Sequence, residues 1–204
     1  MESSAAGAIW PQEHVDAGPG SAANLNSLSD LELIAKINAG DEAAFEILYH
    51  RHKDWVVNLA YRWTNDRDIA LDVLQETFFY FAKKFPGFRL TAKLQTFFYP
   101  VVRNLSIAAR RKSERYRSQE PVPDVVEPVV AIAPAIGESD QLQAVLASLT
   151  EEHREVVLLR FVDGLSLAEI AAAMDIPLGT VKSRLHNALE TLRNDSRTRK
   201  FFEE

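Results

Sequence analysis

Near its C-terminus the chain reads "TVKSRLHN", which sets Thr180, Lys182, Ser183, Arg184, His186 and Asn187 within one short stretch. These side chains are hydrogen-bond donors and cations, with no nucleophile and base paired at a catalytic spacing. Groups of this kind suit phosphate oxygens and the edges of nucleic-acid bases. The same stretch carries an apolar stripe at helical spacing: Val181, Leu185, Ala188, Leu189 and Leu192. Burying that stripe turns the polar set outward, near the helix N-terminus, where the helix dipole adds attraction for anions. Charge alone favours a simpler reading, a solvated basic face on an ordinary helical hairpin.

The element just upstream decides between the two readings. Ser166 followed three residues later by Glu169 is a capping box, the pattern that satisfies free amides at a helix start. Leu167, Ile170 and Ala171 follow as its inward face, and Met174-Asp175-Ile176 reads as a tight turn. Pro177 suits the first turn of the next helix, where its missing N–H costs nothing. Capped helix, turn and proline-started helix together make a helix-turn-helix, whose second helix places its N-terminal donors on DNA.

Further elements precede it. Leu31, Ile34 and Ile37 predict a helix from about Leu28 that stops at Gly40, and Asp41 caps the next one. Phe45, Leu48, Tyr49, His52, Val56, Leu59, Ala60 and Trp63 stripe one face of that second helix. "TNDRD" breaks the chain, and a third helix from about Asp66 to Phe85 turns Ile69, Val73, Leu74, Phe78, Phe81 and Phe85 inward. Its other face bears Asp72, Gln75, Glu76, Tyr80 and Lys83, and Pro86-Gly87 ends it. Leu94, Phe97, Phe98, Val101, Leu105 and Ala108 mark a fourth helix, in which Pro100 requires either a start near Thr96 or a bend.

Composition then shifts to Pro, Val, Ala and Glu over residues 113–139, which reads as a linker. Stiffened by proline, about 20 such residues reach roughly 60 Å. Helical spacing resumes from Asp140 with Leu142, Val145, Leu146 and Leu149, then Val156, Leu159 and Phe161. The expected fold is therefore all-α: a flexible leader over 1–27, a helical domain over 28–112, the linker, and a helix-turn-helix domain over 140–204.

The bulk composition limits function. A formal net charge of −6 opposes nonspecific coating of nucleic acid, so DNA contact must be local. The absence of cysteine removes disulfides, thiolate metal sites and cysteine nucleophiles, and points to a reducing, cytoplasmic setting. His50 and His52 lie two apart and diverge on a helix, so no metal or other cofactor is expected. The first residues lack the basic and apolar regions of a signal peptide, and the run 128–137 is too short and proline-broken to cross a bilayer. With no phosphate-binding loop, dinucleotide turn or nucleophile motif, the chain does not read as an enzyme.

"GLSLAEIAAAMDIPLGTVKSRLHNALETLR", "DVLQETFFYFAKKF", "GFR" and "YPVVRNLSIAARR" together resemble the extracytoplasmic-function (ECF) group of the sigma-70 family of bacterial transcription initiation factors. The resemblance spans about Leu28 to Arg193. It implies a sigma-2 and a sigma-4 domain, with core RNA polymerase and promoter DNA as partners, an anti-sigma factor as a further one, and a role in promoter melting. Carried over by position, Asp72, Gln75 and Glu76 dock the polymerase. Phe88, Arg89, the loop up to Lys93, and Asn104 meet unpaired minus-10 bases, which stack on aromatics and hydrogen-bond through their edges. Lys182, Ser183, His186 and Asn187 face the minus-35 element, with Thr180 and Arg184 on phosphate. Pro100 stands where the family commonly has a basic residue, and Asn187 where arginine is frequent; Asn pairs with adenine where Arg prefers guanine. The competing expectation is a stand-alone helix-turn-helix regulator, a dimer on a palindromic operator that needs no polymerase.

Overall fold

A computed structural model describes residues 25–117 and 145–195. The expected leader up to residue 24, the linker from 118 onward, Leu142 and the tail beyond 195 lie outside the described residues. Among the described residues the regular structure is helical: α1 Asp30–Asn38, α2 Glu42–Thr64, α3 Arg67–Ala82, α4 Leu94–Arg117, α5 Glu151–Phe161, α6 Leu167–Met174 and α7 Leu178–Asn194.

Local signals set most boundaries. Ser29 and Glu32 close a capping box on α1, and Asp41, Asp66 and Thr150 cap α2, α3 and α5 through their side chains. Gly40 separates α1 from α2 at φ +92°, and Asn65 ends α2 in the left-handed region. Such positions favour Gly or Asn because a larger side chain meets the carbonyl there.

The long helices α2, α3 and α4 pack on one another, with α1 across α2. Leu48, Val56 and Ala60 of α2 meet Val73, Phe78 and Phe81 of α3 and Leu94, Phe98 and Val102 of α4 in one core. Leu25 is buried in it too, and Arg51 donates to the Asn26 and Leu28 carbonyls, so residues 25–28 belong to the folded body rather than to the leader. Asp30 holds both Arg51 and His52, at 2.6 and 2.8 Å. Burial raises the Asp30 carboxyl, but the hydrogen bonds and charges of His52 and Arg51 outweigh it, so the group titrates below its ordinary value. His52 thus spends its polarity on packing α1 against α2.

Several expectations need correction. Leu31 is 60 % exposed, and Leu33 takes the inward position instead. Phe161 and Leu189 are also exposed, each at the edge of its stripe. α4 begins at Leu94, ahead of Thr96, and Pro100 lies within it. The helix also continues through Arg117, past the Lys112 boundary read from composition.

The helix-turn-helix part forms a second packed unit. Leu146 and Leu149 join Val157, Leu158 and Ala188 in a small core between α5 and α7. Val156, Leu159, Leu165, Ile170, Ala173 and Val181 instead continue the large core of α2–α4, so the two parts are packed together.

Candidate nucleic-acid interface

The helix-turn-helix has the local chemistry its sequence dictates. Glu169 Oε2 accepts from the Ser166 amide at 2.7 Å, and the Glu169 amide donates back to Ser166 Oγ at 3.2 Å. Burial raises the Glu169 carboxyl, but those bonds and the charge of Lys93 outweigh it and hold its pKa below the ordinary value. Asp175 makes the turn in the left-handed region, and α7 starts directly after Pro177, which offers no side-chain cap. First-turn amides without an internal cap favour an anionic partner.

On α7, Val181 and Ala188 are buried, while Lys182, Ser183, His186 and Asn187 are exposed together. Thr180 and Arg184 are half-buried at the margin. Arg184 is held by Glu152 of α5 at 2.7 Å, so its guanidinium direction is set by a carboxylate. Ser183 Oγ donates to the Thr180 carbonyl at 3.0 Å, which turns that hydroxyl back along its own helix.

The second set of sequence-selected residues converges on an open cleft of about 1030 Å³, lined by Phe88, Arg89, Lys93 and Asn104 together with Glu76, Tyr80 and Phe97. These positions lie on α3, on the loop after it and on α4, and a cluster of rings brings the three segments together. Phe81, fully buried, meets Phe88 at 5.2 Å and Phe97 at 5.8 Å between centroids, and Phe88 meets Phe97 at 4.9 Å. Tyr80 stacks on Phe97 at 6.2 Å, giving the cleft an aromatic wall. Phe88 is therefore both half-buried in the ring cluster and part of the cleft wall. Arg89 and Asn104 are exposed at its margin.

The loop that carries Phe88 and Arg89 is pinned by a residue that sequence reasoning missed. Asn38 donates to the Phe88 carbonyl at 2.9 Å and accepts from the Gly87 amide at 2.6 Å. Gly87 has φ +107°, which a side chain would strain. Asp72, Gln75 and Glu76 are exposed on one side of α3, beside Phe79 and Tyr80, whose rings Lys83 and Lys84 cover. Glu76 faces both this side and the cleft.

Arg62 and Asp163 were also missed. Arg62 falls inside the apolar stripe of α2, three residues after Leu59 and next to Trp63, and a charge there demands a buried partner. Asp163 is that partner, at 2.7 and 2.9 Å to the two terminal guanidinium nitrogens.

Comparison with known proteins agrees with this geometry. The model of sigma-70 region 2 matches residues 48–116, and that of sigma-70, region 4 matches residues 145–194. The ECF RNA polymerase sigma factor SigW of Bacillus subtilis is 30% identical over 178 residues, covering 80% of this chain and 95% of SigW. The ECF RNA polymerase sigma-E factor of Escherichia coli is 30% identical over 185 residues, covering 82% and 94%. Among solved structures, the sigma factor RpoE of Bartonella quintana, in complex with the anti-sigma factor NepR, shares the fold at a TM-score of 0.58 and 24% identity, covering 73% of this chain and 94% of that one. CnrH, in complex with the cytosolic domain of CnrY, does so at 0.57 and 20% identity, covering 80% and 94%.

The cleft-bearing helices and the helix-turn-helix define a sigma-70 family protein. Within that family the chain belongs to the ECF group: it is an RNA polymerase sigma factor, a transcription-initiation factor whose partners are core polymerase and promoter DNA. Sigma factors do this without enzymatic chemistry of their own. Among the described residues no helix is long and apolar enough to cross a membrane.

Proposed function

We propose that this sigma factor has two domains, 28–112 and 140–204, and divides its promoter contacts between them. Lys182, Ser183, His186 and Asn187 of α7 read minus-35 base edges in the major groove, while Thr180 and Arg184 hold phosphate. Phe88, Arg89, Lys93 and Asn104 receive unpaired minus-10 bases, and Asp72, Gln75 and Glu76 dock core polymerase. The supporting observation is the cleft itself: Phe88, Arg89, Lys93 and Asn104 line one aromatic-walled opening together with Glu76 and Tyr80 of α3. Melted bases have π-faces to stack on Tyr80, Phe88 and Phe97, and basic side chains at the rim offset the backbone charge.

The acidic chain suits this division. A net charge of −6 weakens DNA binding by the free protein, whereas polymerase supplies an additional attachment that raises the effective concentration of each contact. Two solved neighbours are complexes, one of them with a named anti-sigma factor, which supports an anti-sigma protein as a further partner class and a cytoplasmic setting.

Run-off transcription tests the reading. Chain plus core polymerase is expected to give promoter-specific transcripts, and the chain alone to bind the same DNA weakly. Tight binding to a palindrome without polymerase, with no transcript in its presence, would instead indicate a stand-alone regulator. Glu76→Lys is expected to weaken core binding at unchanged helical content; unchanged affinity removes Glu76 from the docking face.

A further inference from the structure

The loop that joins α3 to α4 supplies much of the cleft wall, since every residue from Phe88 to Lys93 lines it. That loop is sparsely held. Among the described residues, positions 86–92 make no backbone-to-backbone hydrogen bond, and the two hydrogen bonds they do make both go to the side chain of Asn38. The Asn38 nitrogen donates to the Phe88 carbonyl, and its oxygen accepts from the Gly87 amide. A carboxamide offers a donor and an acceptor side by side, as a neighbouring strand would.

The rest of the hold is apolar and fixes position without fixing direction. Phe85 is buried, and the Phe88 ring meets those of Phe81, Phe85 and Phe97 at 5.2, 5.6 and 4.9 Å between centroids. Such contacts are non-directional, so they seat the ring and leave the neighbouring peptide planes free to turn. Gly87, at φ +107° with open space around it, adds no steric restraint of its own. Hydrogen bonds are directional. The pair to Asn38 therefore sets the plane of the peptide entering Gly87 and of the peptide leading into Arg89.

Asn38 is well anchored for that task. It is the last residue of α1, directly after Ile37, which is 1 % exposed in the core. At the other end of α1, Asp30 is held by Arg51 and His52 of α2. α1 is thus fixed to the body at both ends and presents one carboxamide to the loop. Asn is a poor helix former, and the apolar face of α1 makes no use of it, so the loop accounts for position 38 better than its own helix does.

We infer that Asn38 is a positioning residue for promoter melting: it holds Gly87, Phe88 and Arg89 in the conformation that receives an unpaired base. Asn38 lies outside the cleft lining and acts through the loop alone. The inference rests on the minus-10 reading of the cleft, and it gives α1 a part in base capture beyond its packing on α2.

Hydrogen exchange of the full chain reads the hold directly. In Asn38→Ala the Gly87 amide is expected to exchange about tenfold faster, with the amides of α2 and α3 unchanged. An unchanged Gly87 rate overturns the inference. Reconstituted holoenzyme reads the consequence, with two probes: the single nontemplate strand of a promoter that yields run-off transcript, and the same strand with its minus-10 bases permuted. Asn38→Ala is expected to reduce the preference for the first strand several-fold at unchanged affinity for core polymerase. A merely structural residue would lower core binding and both strands by one factor. That outcome, or an unchanged preference, overturns the positioning role.

Asn38→Asp keeps the shape and the acceptor for Gly87 but offers the Phe88 carbonyl no proton. It decides the matter if Asn38→Ala fails to fold: a lost preference is expected, and a preference equal to the parent's overturns the inference. Phe88→Ala separates the two levels of the argument. If removing the ring leaves the preference intact, the minus-10 reading has failed; if Phe88→Ala loses the preference and Asn38→Ala keeps it, only the role of Asn38 has.

Discussion

The helix-turn-helix and the aromatic cleft differ in how far apart in sequence their determinants lie. In the first, the cap, turn, helix start and exposed donors all fall between Ser166 and Asn187, and the capping box and the turn close through bonds within a few residues. In the second, Tyr80, Phe88, Phe97 and Asn104 reach one opening only because Phe81 and Asn38 hold three segments together. One site is therefore expected to survive damage to the core that destroys the other. Local hydrogen bonds tolerate a softened interior, whereas a cleft wall made of core side chains does not.

The largest test of this contrast removes its centre. Phe81→Ala empties the middle of the ring cluster and is expected to cost about 3–5 kcal/mol, read as a lowered urea midpoint. In folded material, promoter melting should fall further than binding to duplex minus-35 DNA. Equal losses would show that the two sites share one support.

The next test concerns Glu155, on the face of α5 turned toward α4. Burial lifts its carboxyl from an ordinary 4.5 to about 7, which the charge of Arg184 on α7 only partly offsets; Arg103 of α4, Arg62 of α2 and Arg154 of α5 are further cations nearby. The folded chain thus keeps a proton that the unfolded chain has released. The stability this group contributes is full below about pH 4.5 and is lost as pH rises to about 7, a change of up to about 3 kcal/mol. Denaturation midpoints from pH 5 to 8 should show the fall, and Glu155→Gln should flatten it. A parallel fall in the variant would assign the slope to other groups.

On α7 the exposed side chains can be separated by role. Asn187→Ala is expected to cost about 1–3 kcal/mol on the preferred minus-35 sequence and little on others, measured by competition among promoter variants in the holoenzyme. Lys182→Ala should also lose sequence discrimination; a uniform loss with a reduced salt slope would move Lys182 to phosphate. The smallest effect expected is that of Ser166→Ala. It removes one half of the capping box for about 1 kcal/mol, seen in thermal melts, and leaves the cleft unaffected.

Legibility followed the same contrast. Both capping residues, the turn at Asp175 and the exposure of Lys182, Ser183, His186 and Asn187 on α7 are readable from neighbours in sequence, whereas Thr180 and Arg184, expected on the same face, are half-buried. The apolar stripe of α2 and α3 was readable as periodicity, though Leu31, Phe161 and Leu189 show that a stripe's edge is decided by whether another helix arrives to cover it. The role of Asn38 carries no periodic signal, since its partners lie about 50 residues away. Arg62 left a weak trace, a charge inside an apolar stripe, but nothing local names Asp163 as its partner.

The amino-acid sequence by itself determined that the chain is helical, that it ends in a helix-turn-helix, and that donors rather than catalytic groups occupy the exposed face of the second helix. These follow from hydrogen bonds and hydrophobic spacing that span three or four residues. Tertiary structure alone decided that Lys93 is held by the other unit and that Asp163 meets Arg62. Those depend on which buried faces find each other, because a contact across 70 or 100 residues is selected by the packing of whole helices and not by any interval in the chain.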